Sequence, residues 1–243
     1  MSRLGTILPA LKPAILISCE HGGNQVPEAY APLFRGASKV LESHRGWDPG
    51  ALPLARELAA ALDAPLVACT TSRLLVDLNR TINHPRLFSE WTRSLSSVER
   101  AKLLERFWAP HMERVEVFVR EQIAKQNPVL HLSIHSFTPI WKEQARTVDI
   151  GFLFDPKRDG ERSFVNAWLD ALRVRQPRLR LRRNRPYRGT SDGLITNLRG
   201  QFEAKHYVGV ELEVTQRISL GPAKQWNSLR GDIRAALLSA WGV

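Results

Sequence analysis

Val129-Leu-His-Leu-Ser-Ile-His-Ser-Phe-Thr-Pro139 alternates with a period of two: Leu130, Leu132 and Ile134 share one face, and His131, Ser133 and His135 the other. The pattern predicts a buried strand that gives way to a loop at His135-Ser136. Open α/β sheets bind ligands outside the carboxyl ends of such strands. Two more stretches have this form. Ala14-Ile-Leu-Ile-Ser-Cys19 is an apolar run that stops at Glu20-His21-Gly22-Gly23-Asn24, and Val208-Gly-Val-Glu-Leu-Glu-Val214 alternates with Glu211 and Glu213 on one face. Two strand-end histidines and a carboxylate-bearing strand are the parts of a metal-dependent hydrolase.

The intervening sequence supplies helices. Asp48 and Pro49 read as the N-cap and first position of a helix running to about Leu62. Leu66–Thr70 reads as a strand, and Leu74–Leu78 as a strand or extended segment leading into Asn79-Arg80. Ser96-Ser-Val-Glu99 is a capping box opening a long amphipathic helix to about Gln126, with a kink expected at Pro110. Val148–Phe154 is a further strand. A helix from about Gly160 to Arg175 precedes an edge strand at Leu179–Arg182, a long loop at Asn184–Gly193, the glutamate strand, and a last helix from about Pro222 to Trp241. Strands alternating with helices predict an α/β fold: a three-layer sandwich with a mostly parallel or mixed central sheet and helices on both faces. With no internal repeat or linker, residues 1–243 read as a single domain.

The chain has 243 residues, 43% of them hydrophobic and 24% charged, so a sizeable core is available. No apolar run approaches the ~20 residues of a membrane span. Met1–Pro9 lacks the apolar core of a signal peptide, and Cys19 and Cys69 sit in apolar runs that favour buried thiols over a disulfide. A cytoplasmic location is expected. The net charge is +11, and much of it comes from Arg173, Arg175, Arg178, Arg180, Arg182, Arg183, Arg185 and Arg188. No helix-turn-helix, finger or aromatic nucleic-acid motif accompanies this stretch, so it reads as a solvated surface that attracts anions rather than a nucleic-acid face.

A hydrolytic zinc site needs about three protein ligands, an open position for water and a carboxylate to take the water's proton. His21 and His135 are the first two candidates, each followed by a small residue, Gly22 and Ser136. Asp48 is the favoured third ligand, although it also reads as a plain helix cap, and Glu20 and His44 compete with it. His131 lies about 13 Å along the strand from His135, so the two should not share a metal.

These blocks resemble the N-formylglutamate amidohydrolase family: Ser18-Cys-Glu-His-Gly-Gly-Asn24, Trp47-Asp-Pro-Gly-Ala51, Arg73-Leu-Leu-Val-Asp-Leu-Asn-Arg80, Leu132-Ser-Ile-His-Ser-Phe137 and Val210-Glu-Leu212, in order over roughly 14 to 217. That family is similar to the zinc carboxypeptidases, whose mixed-sheet α/β fold is then expected. The resemblance implies one zinc per chain, held by His21 and His135, with Asn79 and Arg80 clamping the substrate carboxylate and Glu211 as general base. Carboxypeptidase-type sites carry a glutamate three residues after the first histidine. Here Asn24 occupies that position, so the remaining ligand must come from elsewhere.

The clamp also reads from the residues themselves, because arginine's planar fork grips a carboxylate through two parallel hydrogen bonds. Arg73 and Arg80 bracket a short apolar run, with Asp77 placed to orient one of them. Tyr187, in its Gly- and Pro-flanked loop, is a candidate to close over substrate. Alternation does not separate Glu211 from Glu213; the resemblance favours Glu211. The partner that the resemblance implies is a small anionic N-acyl amino acid, N-formyl-L-glutamate foremost, cleaved to glutamate and formate. The alternatives are a zinc peptidase or deacylase acting on another acylated substrate, and a non-catalytic protein of the same fold that binds anions or nucleic acid. The oligomeric state is left open.

Overall fold

A computed structural model of the protein describes residues 13–242; the segment Met1–Pro9 considered above lies outside the described residues. Six strands form the central sheet: β1 (Ala14–Cys19), β2 (Leu66–Ala68), β3 (Val129–Phe137), β6 (Ile150–Leu153), β7 (Leu181–Arg183) and β8 (Tyr207–Thr215). Their order is β2-β1-β3-β8-β6-β7. Every neighbouring pair is parallel except β6 with β8, so the sheet is mixed, and Leu181–Arg183 is an edge strand as expected. A small antiparallel hairpin, β4 (Ile140–Trp141) and β5 (Gln144–Ala145), follows β3.

The even-numbered residues of β3 and β8 bury Leu130, Leu132, Ile134, Val208, Val210, Leu212 and Val214 against one helical layer. That layer holds α2 (Ala51–Ala61), α5 (Asp159–Arg175) and α8 (Ala223–Trp241), with Leu54, Leu58, Trp168 and Ile233 fully buried between helices and sheet. On the opposite face, α4 (Ala109–Ala124) and α6 (Leu194–Gln201) cover Leu16, Val129 and Tyr207 through Val115, Val119, Ile195 and Leu198. The α/β sandwich with helices on both faces is therefore the observed architecture. Two short helices, α1 (Ser38–Leu41) and α7 (Gln216–Ser219), sit in connections. Among the described residues no helix is long and apolar enough to cross a membrane. Cys19 and Cys69 are free thiols, the first buried.

Four local readings change. The helix after Trp47 starts at Ala51, and its N-terminal boundary is Gly50 at φ +87°, without a side-chain cap. A Cβ on Gly50 would sit 2.5 Å from Ser219 Cβ, so glycine answers both the backbone and the contact. Asp48 is consequently not the N-cap, nor Pro49 the first helical residue. Leu74–Leu78, read as a strand or extended segment, joins no strand: turns at Leu74-Leu75 and at Leu78 flank irregular chain at Val76-Asp77, and the Leu75 amide donates to Ser72 and the Asp77 amide to Leu87, both outside the sheet. Leu74 and Leu75 are buried in a satellite cluster with Phe34 and Leu103, and burial without alternation does not distinguish strand from turn.

The capping box at Ser96 and Glu99 forms as read and opens α3 (Ser97–Leu103). The disturbance expected at Pro110 takes the form of a π turn, Leu104–Trp108, in which the Ala109 amide reaches back to the Leu104 carbonyl. Proline lacks an amide hydrogen and crowds the carbonyl four residues earlier, and the wider turn accommodates both. Helix α6 has no signal in its own sequence. Its first amide, Leu194 N–H, donates to Oδ1 of Asn79 at 2.7 Å, a cap supplied from 115 residues away.

Candidate metal centre

The carboxyl ends of β1 and β3 lie side by side, with Ser18 in register with Ser133. Chain extension beyond each strand then places His21 beside His135, ring centroids 5.1 Å apart. Asp48 enters from the segment before α2, where its amide donates to the His21 carbonyl at 2.9 Å. Its Oδ2 is 2.9 Å from His135 Nδ1 and 3.5 Å from His21 Nδ1. One donor atom from each of His21, Asp48 and His135 lies within 4.8 Å of the others, and all three residues are buried.

The far nitrogen of each ring is held by another carboxylate. His21 Nε2 is 2.7 Å from Asp77 Oδ1, and His135 Nε2 is 2.9 Å from Glu20 Oε2. Metal-binding histidines typically donate their outer N–H to a carboxylate in this way, which fixes the tautomer and turns the other nitrogen inward. His21 Nδ1 is buried with no hydrogen-bond partner, a costly arrangement for a polar atom that nothing is meant to meet. Of the three carboxylate and histidine candidates for a third ligand, Glu20 is engaged behind His135, His44 lines the cavity outside the triad, and Asp48 stands between the two rings.

Charge points the same way. The carboxylates of Asp48, Asp77, Glu211 and Glu213 line this cavity with Arg73 and Arg80, and Glu20 lies just behind. Burial opposes ionisation of Asp77, but Arg73, with Nη2 2.7 Å from its Oδ2, and His21 outweigh burial and hold its carboxyl well below the usual range. Burial likewise opposes a charged His135, yet its hydrogen bonds to Asp48 and Glu20 prevail and push the imidazole well above its ordinary value. The donor set favours positive charge between these acids, as a proton on the ring or a cation beside it, and two imidazoles with a carboxylate suit zinc. The residues fit such an ion.

Glu211 and Glu213 project from β8 on the same face as His135. Glu213 pairs in register with His135, and Glu211 with Ser133. Burial raises both carboxyls above the normal range; for Glu213, burial, Asp48 and Glu211 push it to about 8. Glu213 Oε2 is buried without a partner.

The remaining residues singled out in the sequence surround the same cavity of about 600 Å³, lined by Arg73, Asn79, Arg80 and Tyr187. Arg80 Nη1 donates to the Asp192 carbonyl at 2.8 Å, and its Nε is 3.9 Å from Asp77 Oδ2. Asn79 caps α6 through its oxygen, and its nitrogen lies 3.4 Å from His135 Nε2. Gly22 is packed closely against the chain after β2: a Cβ there would meet the Cys69 carbonyl at 2.9 Å. His131 is remote from the triad, with its nitrogens 2.8 Å from Tyr207 Oη and 2.8 Å from Ser18 Oγ. The sequence reading passed over Ser133, whose Oγ donates to Glu20 at 2.6 Å, and it gave Asp77 no role toward His21. Alternation on β3 already placed Ser133 on the histidine face; nothing local announced the Asp77 contact across 56 residues.

A family model described as N-formylglutamate amidohydrolase matches residues 14–219. Among solved structures, gene product Atu2144 from Agrobacterium tumefaciens superposes with a TM-score of 0.80 at 29% identity, covering 96% of this chain and 92% of that one. An N-formylglutamate amidohydrolase from Ralstonia eutropha JMP134 gives a TM-score of 0.69 at 18% identity, covering 97% and 95%; at that identity the likeness is one of fold. No curated protein sequence matches the chain.

Proposed function

The chain belongs to the N-formylglutamate amidohydrolase family, and from that premise we propose that it is a zinc-dependent hydrolase of small N-acyl amino acids, N-formyl-L-glutamate foremost. The observation that carries the metal is the pair of imidazoles with their outer nitrogens held by Asp77 and Glu20 and their Nδ1 atoms turned to Asp48. A zinc ion held by His21, His135 and Asp48 would polarise the amide carbonyl and acidify a water molecule.

The chain's own groups do the rest. Glu211, its carboxyl raised by burial, takes the water's proton and passes it to the departing nitrogen, the poise that general acid–base catalysis near neutral pH requires. Arg80 and Asn79 hold the substrate carboxylate, and Arg73 keeps Asp77 ionised and thus His21 oriented. Tyr187, 40% exposed, lies on the cavity wall where it can cover bound substrate. A second reading of the base rests on register: Glu213 stands level with His135 and has a free oxygen, and it would act in place of Glu211.

The test is metal analysis of protein purified without chelator, followed by turnover of N-formyl, N-acetyl and longer N-acyl amino acids. About one zinc per chain with release of formate from N-formylglutamate is the expected result. A metal-loaded protein that hydrolyses only other acyl groups would move it to the deacylase reading, and one that neither holds zinc nor turns over any of them would overturn the proposal.

A further inference from the structure

The two half-buried arginines nearest the triad are already matched by acids of the chain: Arg73 by Asp77, and Arg80 by Asp77 and Asp192. Arg146 is not. It follows the β4–β5 hairpin, whose two-residue turn has Lys142 at φ +48° and Glu143 at φ +64°, the left-handed pair that a tight hairpin needs. The hairpin is closed by the Arg146 amide donating to the Pro139 carbonyl at 2.8 Å. The guanidinium then lies over three rings, with its carbon 5.6 Å from the centre of Phe137, 5.3 Å from Trp141 and 4.8 Å from Tyr187. Nη1 donates to Tyr187 Oη at 2.9 Å and to the Thr138 carbonyl at 3.4 Å. Phe137, Thr138, Trp141 and Tyr187 all line the cavity that contains the triad. No carboxylate of the described residues is within ion-pair distance of Arg146.

A half-buried cation fixed by aromatic faces and neutral oxygens, with unused N–H donors, is a receptor for an anion from outside the chain. Arginine suits the place better than lysine, because its plane stacks on the rings while its edge offers a fork. We propose that Arg146 is a specificity-determining residue that reads the second, side-chain carboxylate of an acidic N-acyl amino acid, while Arg80 and Asn79 take the carboxylate beside the scissile amide. This rests on the function proposed above, and it assigns the preference for an acidic side chain to the hairpin rather than to the metal centre.

The experiment compares N-formylglutamate with N-formylglutamine on the zinc-loaded protein, together with calorimetric binding of glutarate and butyrate. The wild type should prefer the glutamate compound by about 10–100-fold in kcat/KM, the scale of one charge-assisted contact. R146Q should bring that ratio close to one, with N-formylglutamine turnover within about threefold of wild type and the zinc content unchanged. R146K keeps the charge without the fork and should fall between. An R146Q that slows both substrates alike, or leaves the ratio intact, overturns the assignment. If the wild type hydrolyses neither compound, the proposed function fails, and the glutarate arm still decides for Arg146: tighter binding than butyrate, lost in R146Q, supports the receptor, and equal binding rejects it.

Discussion

Oδ2 of Asp48 lies 2.9 Å from Nδ1 of His135, across 87 residues of sequence. The same carboxylate accepts the Ser136 amide at 3.3 Å and is 3.5 Å from Arg73 Nη1 through its other oxygen. It is thus held among three segments of the chain, those of His21, Arg73 and His135-Ser136. That aim is what a first-turn helix cap would have prevented, and Gly50 takes over the helix boundary.

Asp48→Ala should therefore act on metal and hardly on helix α2. Equilibrium dialysis against zinc is expected to show a loss of affinity larger than the about 10–100-fold typical of groups one step removed from the ion. A metal affinity unchanged by the substitution, with a stability loss of ~1 kcal/mol in metal-free protein, would return Asp48 to the role of a cap.

Asp77→Asn and Glu20→Gln each remove a charge behind a histidine and keep the size of the group. Both should weaken zinc by about 10–100-fold without abolishing binding. Asp77→Asn also releases Arg73 and should be the more damaging of the two for turnover. Equal affinity in wild type and both variants would show that the two carboxylates do not orient the rings.

The proton acceptor is decided by two isosteric changes on one strand face. Glu211→Gln should lower kcat by about 10²-fold or more, the ordinary scale for general-base catalysis, with zinc content intact. Glu213→Gln should have a smaller effect. The reverse order would assign the step to the residue in register with His135, and unaffected turnover in both would exclude the strand as the source of the base.

Asp149 carries a pH dependence of folding. Burial disfavours its charge, but hydrogen bonds from Arg180, including Nε and Nη2 at 3.0 Å each, prevail and lower its carboxyl. A carboxyl lowered in the folded state stabilises above its unfolded value of about 4 and loses that contribution as the pH falls toward the folded value. Asp149→Ala should cost about 1–3 kcal/mol at pH 7, since the Arg180 amide loses its acceptor. Thermal melts should show the gap between variant and wild type narrowing below pH 4. A gap that stays constant with pH would remove the ion pair from the account.

The arginine-rich stretch divides into anchored and free members. Arg180 pins Asp149 and belongs to the fold, whereas Arg178, Arg182 and Arg185 make no ion pair among the described residues. Replacing those three by Gln should leave turnover of a small substrate within about threefold and shrink any loss as salt rises. Tight, steeply salt-dependent binding of nucleic acid by the wild type, abolished in the variant, would overturn the reading of a solvated surface.

The strands β1, β3 and β8 could be read directly from the chain because period-two alternation is a local consequence of the pleat. It delivered the sheet, the face shared by His135, Glu211 and Glu213, and the position of His21 at a strand end. The helices expected from Pro49 to about Leu62, about Gly160 to Arg175 and about Pro222 to Trp241 form over 51–61, 159–175 and 223–241, and the capping box was legible from four adjacent residues. What the chain does not declare locally is a contact between segments. Asp48 reads in its own sequence both as the favoured third ligand and as a helix cap, and only the fold, which pairs β1 with β3 and so brings the two histidines together, seats it against both rings. The oxygen of Asn79 caps α6 across 115 residues, a contact that its place beside Arg80 in the sequence does not announce, and α6 was missed because its cap is absent from its own sequence. The pairing of Asp77 with His21, the seat of Glu20 behind His135 and the aromatic cradle of Arg146 arise the same way. Each is a polar group whose partner is chosen by burial, since a buried donor or acceptor must be satisfied by whatever the fold brings within reach, and that choice exists only once the sheet has closed.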